Sequence, residues 1–246
     1  KLPSKTKVVP KKEVSIETQN YWAVFTSEDA RLKHFKFKKY EDRVKESALT
    51  VKLIQFFQEL FTKKEEPKKP VPLDLVNTSE KEGLPLGISF ITPLPSSSEG
   101  NWEVEKEQLR LVKNGEKDEI TFVKNLENGL KVLKRYRFSS DQYAIDLEVE
   151  VQNGSSKEIT FQLGMEWIGK IELAKLADEE NKDFGLKYAF LKNNKVETKD
   201  LGGGASSGCT PGCGTHKRNI EPFESSEKGD IRWYAFAGEY FTALLI

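Results

Sequence analysis

Residues 143–165 read YAIDLEVEVQNGSSKEITFQLGM. Tyr143, Ile145, Leu147, Val149 and Val151 alternate with Ala144, Asp146, Glu148, Glu150 and Gln152. Successive side chains of a strand point to opposite faces, so this period of two predicts a strand with one face buried and one in water. Asn153-Gly154 follows, and Ile159, Phe161, Leu163 and Met165 then alternate with Thr160, Gln162, Gly164 and Glu166. The pair is predicted to form an antiparallel hairpin. The same punctuation recurs at Asn114-Gly115, between 109–112 and 120–123, and at Asn128-Gly129, before 130–136. Asn and Gly tolerate the positive φ of tight turns.

Strands are also predicted near 13–26, 31–40, 86–92, 101–105, 184–191 and 230–246. That makes about a dozen or more, too many for one open sheet, so two packed sheets are expected. One stretch departs from the period: ESALTVKLIQFFQELFTKKEEP (46–67) carries Leu49, Leu53, Phe56, Phe57, Leu60 and Phe61 at three- and four-residue spacing. This predicts an amphipathic helix over about 46–62, closed before Pro67 and covering a sheet face or edge. A second helix is predicted around 172–181 (ELAKLADEEN). The expected class is mainly β with one or two peripheral helices. Residues 1–12, rich in Lys and Pro, are expected to be a flexible tether, and 13–246 a single domain. GGGASSGCTPGCGTH (202–216) is expected to be a flexible loop.

The 246 residues hold 39 Lys+Arg and 39 Asp+Glu, for a net charge of zero. A protein that neutralises a row of phosphates carries a basic excess, so nucleic acid is not an expected partner. At 37% hydrophobic the chain has material for a core, and no window supplies the roughly 18 apolar residues of a membrane-spanning helix. KLPSKTKVVPKK (1–12) lacks the apolar centre of a signal peptide, so the chain is expected to be soluble. WYAFAGEYFTALLI (233–246) stops inside an apolar stretch, which predicts a piece cut from a longer protein.

Motifs for catalysis are missing: no phosphate loop, G-x-S-x-G or H-E-x-x-H occurs. The two histidines are His34, placed on the Lys-bearing wet face of a strand, and His216 in the Gly-rich loop. Both are read as solvated. Cys209 and Cys213 flank Thr-Pro-Gly, a sequence that promotes chain reversal, and are candidates for a small loop disulfide. With His216 they make three soft ligands where a closed zinc site takes four, so no metal or other cofactor is expected. Asp146, Glu148 and Glu150 resemble a glycosidase pair in type, but their strand face argues for a solvated or cross-strand-paired row. Phe122, Phe161 and Trp167 are read as core, and Trp22 and Trp102 are left unplaced.

Three segments together resemble the large extracytoplasmic domain of bacterial YidC-type membrane protein insertases. ETQNYWAVFTSEDARLKHFKFKKY (17–40) is similar to its opening strands, ITFVKNLENGLKVLKRYRFSSDQYAIDLEVEVQN (120–153) to its middle, and WYAFAGEYFTALLI to its close. Two departures stand out: the family commonly has a Gly-Gly turn where this chain has Asp29-Ala30, and residues 44–66 supply a helix that many members lack. The resemblance implies a mutarotase-like antiparallel β-supersandwich on the outer side of the bacterial inner membrane, between transmembrane helices that flank this chain. It further implies a noncatalytic interaction domain of an insertase acting on nascent membrane proteins, alone or with the Sec translocon. The alternative carried alongside is a carbohydrate-binding or sugar-epimerase-like protein of the same fold.

Overall fold

The computed structural model describes residues 9–42, 71–90, 100–126, 129–169, 187–200, 230–237 and 242–245. Both expected helices, the Gly/Cys loop and residues 1–8 of the tether lie outside these. The chain divides into two compact units, Lys1–Lys170 and Ile171–Ile246.

In the first unit, β1 (Glu13–Thr18), β2 (Tyr21–Thr26) and β3 (Arg31–Asp42) run as an antiparallel meander. The first reversal is fixed locally, because the Thr18 Oγ1 accepts the N–H groups of Asn20 and Tyr21 at 3.2 and 3.1 Å. This is a side-chain substitute for a turn hydrogen bond. β4 (Val71–Asp74) and β7 (Gln108–Leu111) complete a five-stranded sheet of order β4-β3-β2-β1-β7, in which β7 joins β1 in parallel. The second sheet has the order β10-β9-β8-β6, from β6 (Glu103–Val104), β8 (Lys117–Asn125), β9 (Leu130–Ser139) and β10 (Ile145–Asn153). A two-stranded sheet pairs β5 (Gly87–Phe90) with β11 (Leu163–Glu166).

The two larger sheets meet across an aromatic core. The Phe25 ring of β2 lies 4.5 Å from Tyr136, 5.9 Å from Phe138 and 6.3 Å from Phe122, all on the opposing sheet. Val14 and Ile16 of β1, Ile120 of β8, and Leu130 and Val132 of β9 are buried as well. The expected sandwich is present.

The second unit is a sheet of order β13-β12-β14-β15, from β12 (Lys187–Lys192), β13 (Lys195–Asp200), β14 (Ile231–Ala237) and β15 (Thr242–Leu245). Among its described residues, Tyr188, Phe190 and Ala235 are buried. Asn193 and Asn194 take φ of 51° and 63° in the β12–β13 turn, the residue type that enters this region most readily after glycine.

Three local expectations are corrected. β10 does not pair with 159–165: it pairs with β9 along all nine of its residues, while β11 pairs with β5. The face of β11 is inverted too, since Leu163 and Met165 are exposed, whereas Glu166 is half-buried on Arg31. The partner of the alternating strand was already supplied from upstream, through the Gly129 turn (φ 83°) joining β8 to β9. The Asn114-Gly115 turn, in contrast, carries the chain between sheets, because β7 and β8 belong to different ones. Lys11 and Lys12, at the end of the expected tether, hydrogen-bond to the connection between β2 and β3. The Lys12 N–H donates to Ser27 Oγ at 2.7 Å, its carbonyl accepts from the Ser27 N–H, and Lys11 bonds Glu28 and Glu80.

Candidate functional site

Alternation along β9 places Leu130, Val132, Lys134, Tyr136 and Phe138 on one face, and that face is the sandwich interior. Lys134 is fully buried. An ammonium in such a place must be hydrogen-bonded, because an uncompensated buried charge is strongly unfavourable. Its Nζ donates to the carbonyls of Ala30 (2.6 Å), Leu86 (2.7 Å) and Asp29 (3.2 Å).

These three carbonyls have a common origin. Asp29, Ala30 and Leu86 have φ of 57°, 48° and 65°, the left-handed region where a Cβ is strained. The peptides there cannot direct their carbonyls into a ladder, and the lysine gathers them instead. The Tyr136 hydroxyl donates to the Ala30 carbonyl at 2.8 Å, and Nζ lies 5.8 Å from the Trp102 ring centroid. Trp102, unplaced from sequence, is fully buried here, and its backbone N–H donates to the Ser27 carbonyl. Arg31 continues the network: Nη1 donates to the Leu84 carbonyl at 2.8 Å and Nη2 to Glu166 at 3.0 Å. A Cβ at residue 87 would meet that guanidinium, so any side chain there displaces Arg31 from its present place. Burial, and then the charge on Arg31, push the Lys134 ammonium down to about 7, against the opposing pull of Asp29 and Glu166.

The opposite face of β9 carries a charge ladder. Arg135 bonds Glu148 at 2.9 Å and Glu150 at 3.1 Å, while Arg137 bonds Glu119 at 3.2 Å and also Glu148. Glu148 and Glu150 of the acidic row are therefore paired across strands, and Asp146, on the same face, is exposed. The Gln152 amide, followed by Arg135, holds the Glu150 carboxyl below its ordinary range. These groups are substantially exposed, and solvent screens each pair. Arg135→Gln is accordingly expected to lower stability by less than about 1 kcal/mol, with the difference fading in high salt; urea denaturation at two salt concentrations checks it.

Other sequence candidates scatter. Trp22 is exposed on the outer face of β2, with the Lys38 ammonium 4.7 Å from its ring. Phe122 is buried, whereas Phe161 and Trp167 are only half-buried. His34 is not simply solvated: its Nδ1 lies 2.8 Å from Asp74 Oδ2, and Asp74 Oδ1 accepts the N–H groups of Phe35 and Val76. Asp74 thus clamps β4 to β3. Cys209, Cys213 and His216 fall outside the described residues. Among the described residues, no three His, Cys, Asp or Glu side chains gather as a metal site.

Neither arrangement offers an activated nucleophile. The ammonium is committed to three carbonyls, and the carboxylates of the ladder to guanidiniums. Sequence reasoning missed Lys134, although the signal was present in the uninterrupted Leu-Val-Lys-Tyr-Phe alternation.

The family model described as "YidC periplasmic domain" matches residues 13–246. Curated relatives agree. A protein of Syntrophus aciditrophicus is 26% identical over 237 residues, 95% of this chain and 36% of that protein. One of Pelobacter propionicus is 24% identical over 246 residues, 99% of this chain and 37% of its own length. One of Lawsonia intracellularis is 28% identical over 154 residues, 63% of this chain and 24% of its own. Each is named "Membrane protein insertase YidC". The chain spans about a third of the length of the first and second of these relatives. No helix among the described residues is long and apolar enough to cross a membrane. With a match that starts at the first residue of β1 and runs to the last residue of the chain, this protein belongs to the YidC periplasmic domain family.

Proposed function

We propose that this chain is the extracytoplasmic interaction domain of a bacterial inner-membrane insertase, noncatalytic in itself and serving the insertion of nascent membrane proteins, alone or with the Sec translocon. The observation that carries the reading is the family match over 13–246 together with relatives named as insertases, of which this chain accounts for about a third. On this reading residues 13–246 act as one domain, tethered through membrane segments that belong to the remainder of the protein.

The complete gene is the first test. Apolar stretches of about 20 residues are expected before Lys1 and after Ile246, and a reading frame without them overturns the reading. Photocrosslinking from Trp22 and Val112, both exposed, in the full-length protein in bacterial membranes tests the partners. Adducts with nascent membrane proteins or Sec components are expected, and adducts with neither remove the partner assignment.

The sugar-binding alternative draws support from one observation, the His34–Asp74 pair, which has the composition of a general acid–base couple. Asp74 is already engaged with two backbone N–H groups, which favours its role as a strand clamp. Calorimetry against monosaccharides decides: an affinity abolished by His34→Gln would restore the alternative.

A further inference from the structure

Most edge strands in the described residues are blunted. β4, β5, β7, β11 and β15 have four residues each and β6 has two, while β13 carries Lys195 and Lys199. Short length, lysine and proline are the usual protections against unwanted pairing. β10 has none of them. Its nine residues, IDLEVEVQN, contain no Lys and no Pro, and its register on β9 runs without a bulge from Ile145 to Asn153. On its other side β10 pairs with no strand among the described residues.

Two properties of this edge specify an occupant. Its outward face presents the carboxylates Asp146, Glu148 and Glu150, followed by the neutral Gln152, and the cations that balance them, Arg135, Arg137 and Lys131, stand one strand inboard. Arg135 and Arg137 are shared among Glu119, Glu148 and Glu150, and neither bonds Asp146. The charge left at the rim is negative. Its inward face, Ile145, Leu147, Val149 and Val151, is only half-buried, so an added strand with apolar residues in that row would extend the core layer. A second copy of β10 is a poor fit, because like charges directly opposite one another repel.

We propose that the free edge of β10 binds an extended segment of a partner protein in which basic and apolar residues alternate, adding it to the β10-β9-β8-β6 sheet as a further strand. Main-chain hydrogen bonds supply the affinity of such strand addition, and alternate side chains the selectivity. The edge has this property whether or not the remainder of the protein is an insertase.

The test uses this chain and a nine-residue peptide of alternating Lys and Val, followed by amide hydrogen exchange and fluorescence anisotropy. Saturable binding that slows exchange within 145–153 and weakens with salt is expected. Asp146→Lys, which removes no ion pair described above, is expected to weaken binding at least about tenfold without changing the circular dichroism of the chain. Methylating alternate peptide nitrogens, which removes main-chain donors and keeps the charge, is expected to abolish binding. Equal binding by a peptide of the same composition with its lysines in one block would mean attraction by charge alone and would overturn the proposal. So would protection located elsewhere in the chain, or no binding at millimolar peptide.

Discussion

Lys134→Met is expected to lower the unfolding free energy by about 2–4 kcal/mol at pH 9 and to lose most of that effect by pH 6. The substitution keeps the length of the side chain and removes its donors. At pH 9 the buried amine is neutral, because burial has pushed it down to about 7 from the ordinary 10.5. A neutral amine still donates two hydrogen bonds, and the nearest acceptors are the Ala30 and Leu86 carbonyls at 2.6 and 2.7 Å. Methionine leaves the Leu86 carbonyl without this donor and the Ala30 carbonyl with Tyr136 alone, and a buried unsatisfied group costs about 1–3 kcal/mol.

The pH dependence follows from where the protons sit. Between about pH 7 and 10.5 the unfolded chain holds a proton on Lys134 that the folded chain has released, so stability rises with pH through that window. The slope approaches about 1.4 kcal/mol per pH unit. Below about pH 7 both states are protonated, and the full burden of burying the charge weighs on the wild type, offsetting the hydrogen bonds it gains. Taking the difference between wild type and variant removes every other titrating group. Urea midpoints at pH 6 and 9, with unchanged denaturant slopes, provide the measurement. A difference that stays flat with pH would show that the ammonium keeps its proton in the folded state throughout. Lys131→Met is the control: Lys131 faces away from the sandwich interior, and the corresponding difference is expected to be small at both pH values.

How the site could be read from the sequence differs from residue to residue. Strand periodicity located most of the strands and put Glu148 and Glu150 of β10 on the face where they pair with Arg135 and Arg137. It could not choose partners, because a period of two is satisfied by any neighbour that covers the apolar face, and β9 took the place given to 159–165. Pairing across a long loop, as between β5 and β11, leaves no local mark. Lys134 obeyed the alternation while violating the expectation that lysine is exposed. What reverses that expectation is three misdirected carbonyls from Asp29, Ala30 and Leu86, distant in sequence. The departure from a Gly-Gly turn at Asp29-Ala30 was visible in the sequence. Its consequence, two residues with a Cβ held in left-handed conformation and fastened by a lysine on another sheet, was not.

Phe25→Ala is expected to be the most disruptive substitution in the core, at about 3–5 kcal/mol. Phe25 is fully buried, and its contacts are with the opposing sheet: Tyr136 at 4.5 Å, Phe138 edge-on at 5.9 Å and 75°, and Phe122 at 6.3 Å. Removing the ring opens a cavity between two sheets whose backbones are each held by their own ladders, so neither can move in to fill it. Milder substitutions isolate the contact between sheets. Phe25→Leu and Phe138→Leu each keep most of the apolar volume and remove one partner of the edge-on pair. Because the two residues sit on different sheets, their double-mutant cycle measures coupling across the sandwich and not along a strand. The expected coupling is about 0.5–1.5 kcal/mol, the range for aromatic pairs beyond area burial. Strict additivity within about 0.3 kcal/mol would mean that the two rings do not meet, and the packing of the five-stranded sheet on the β8–β9 face would have to be redrawn.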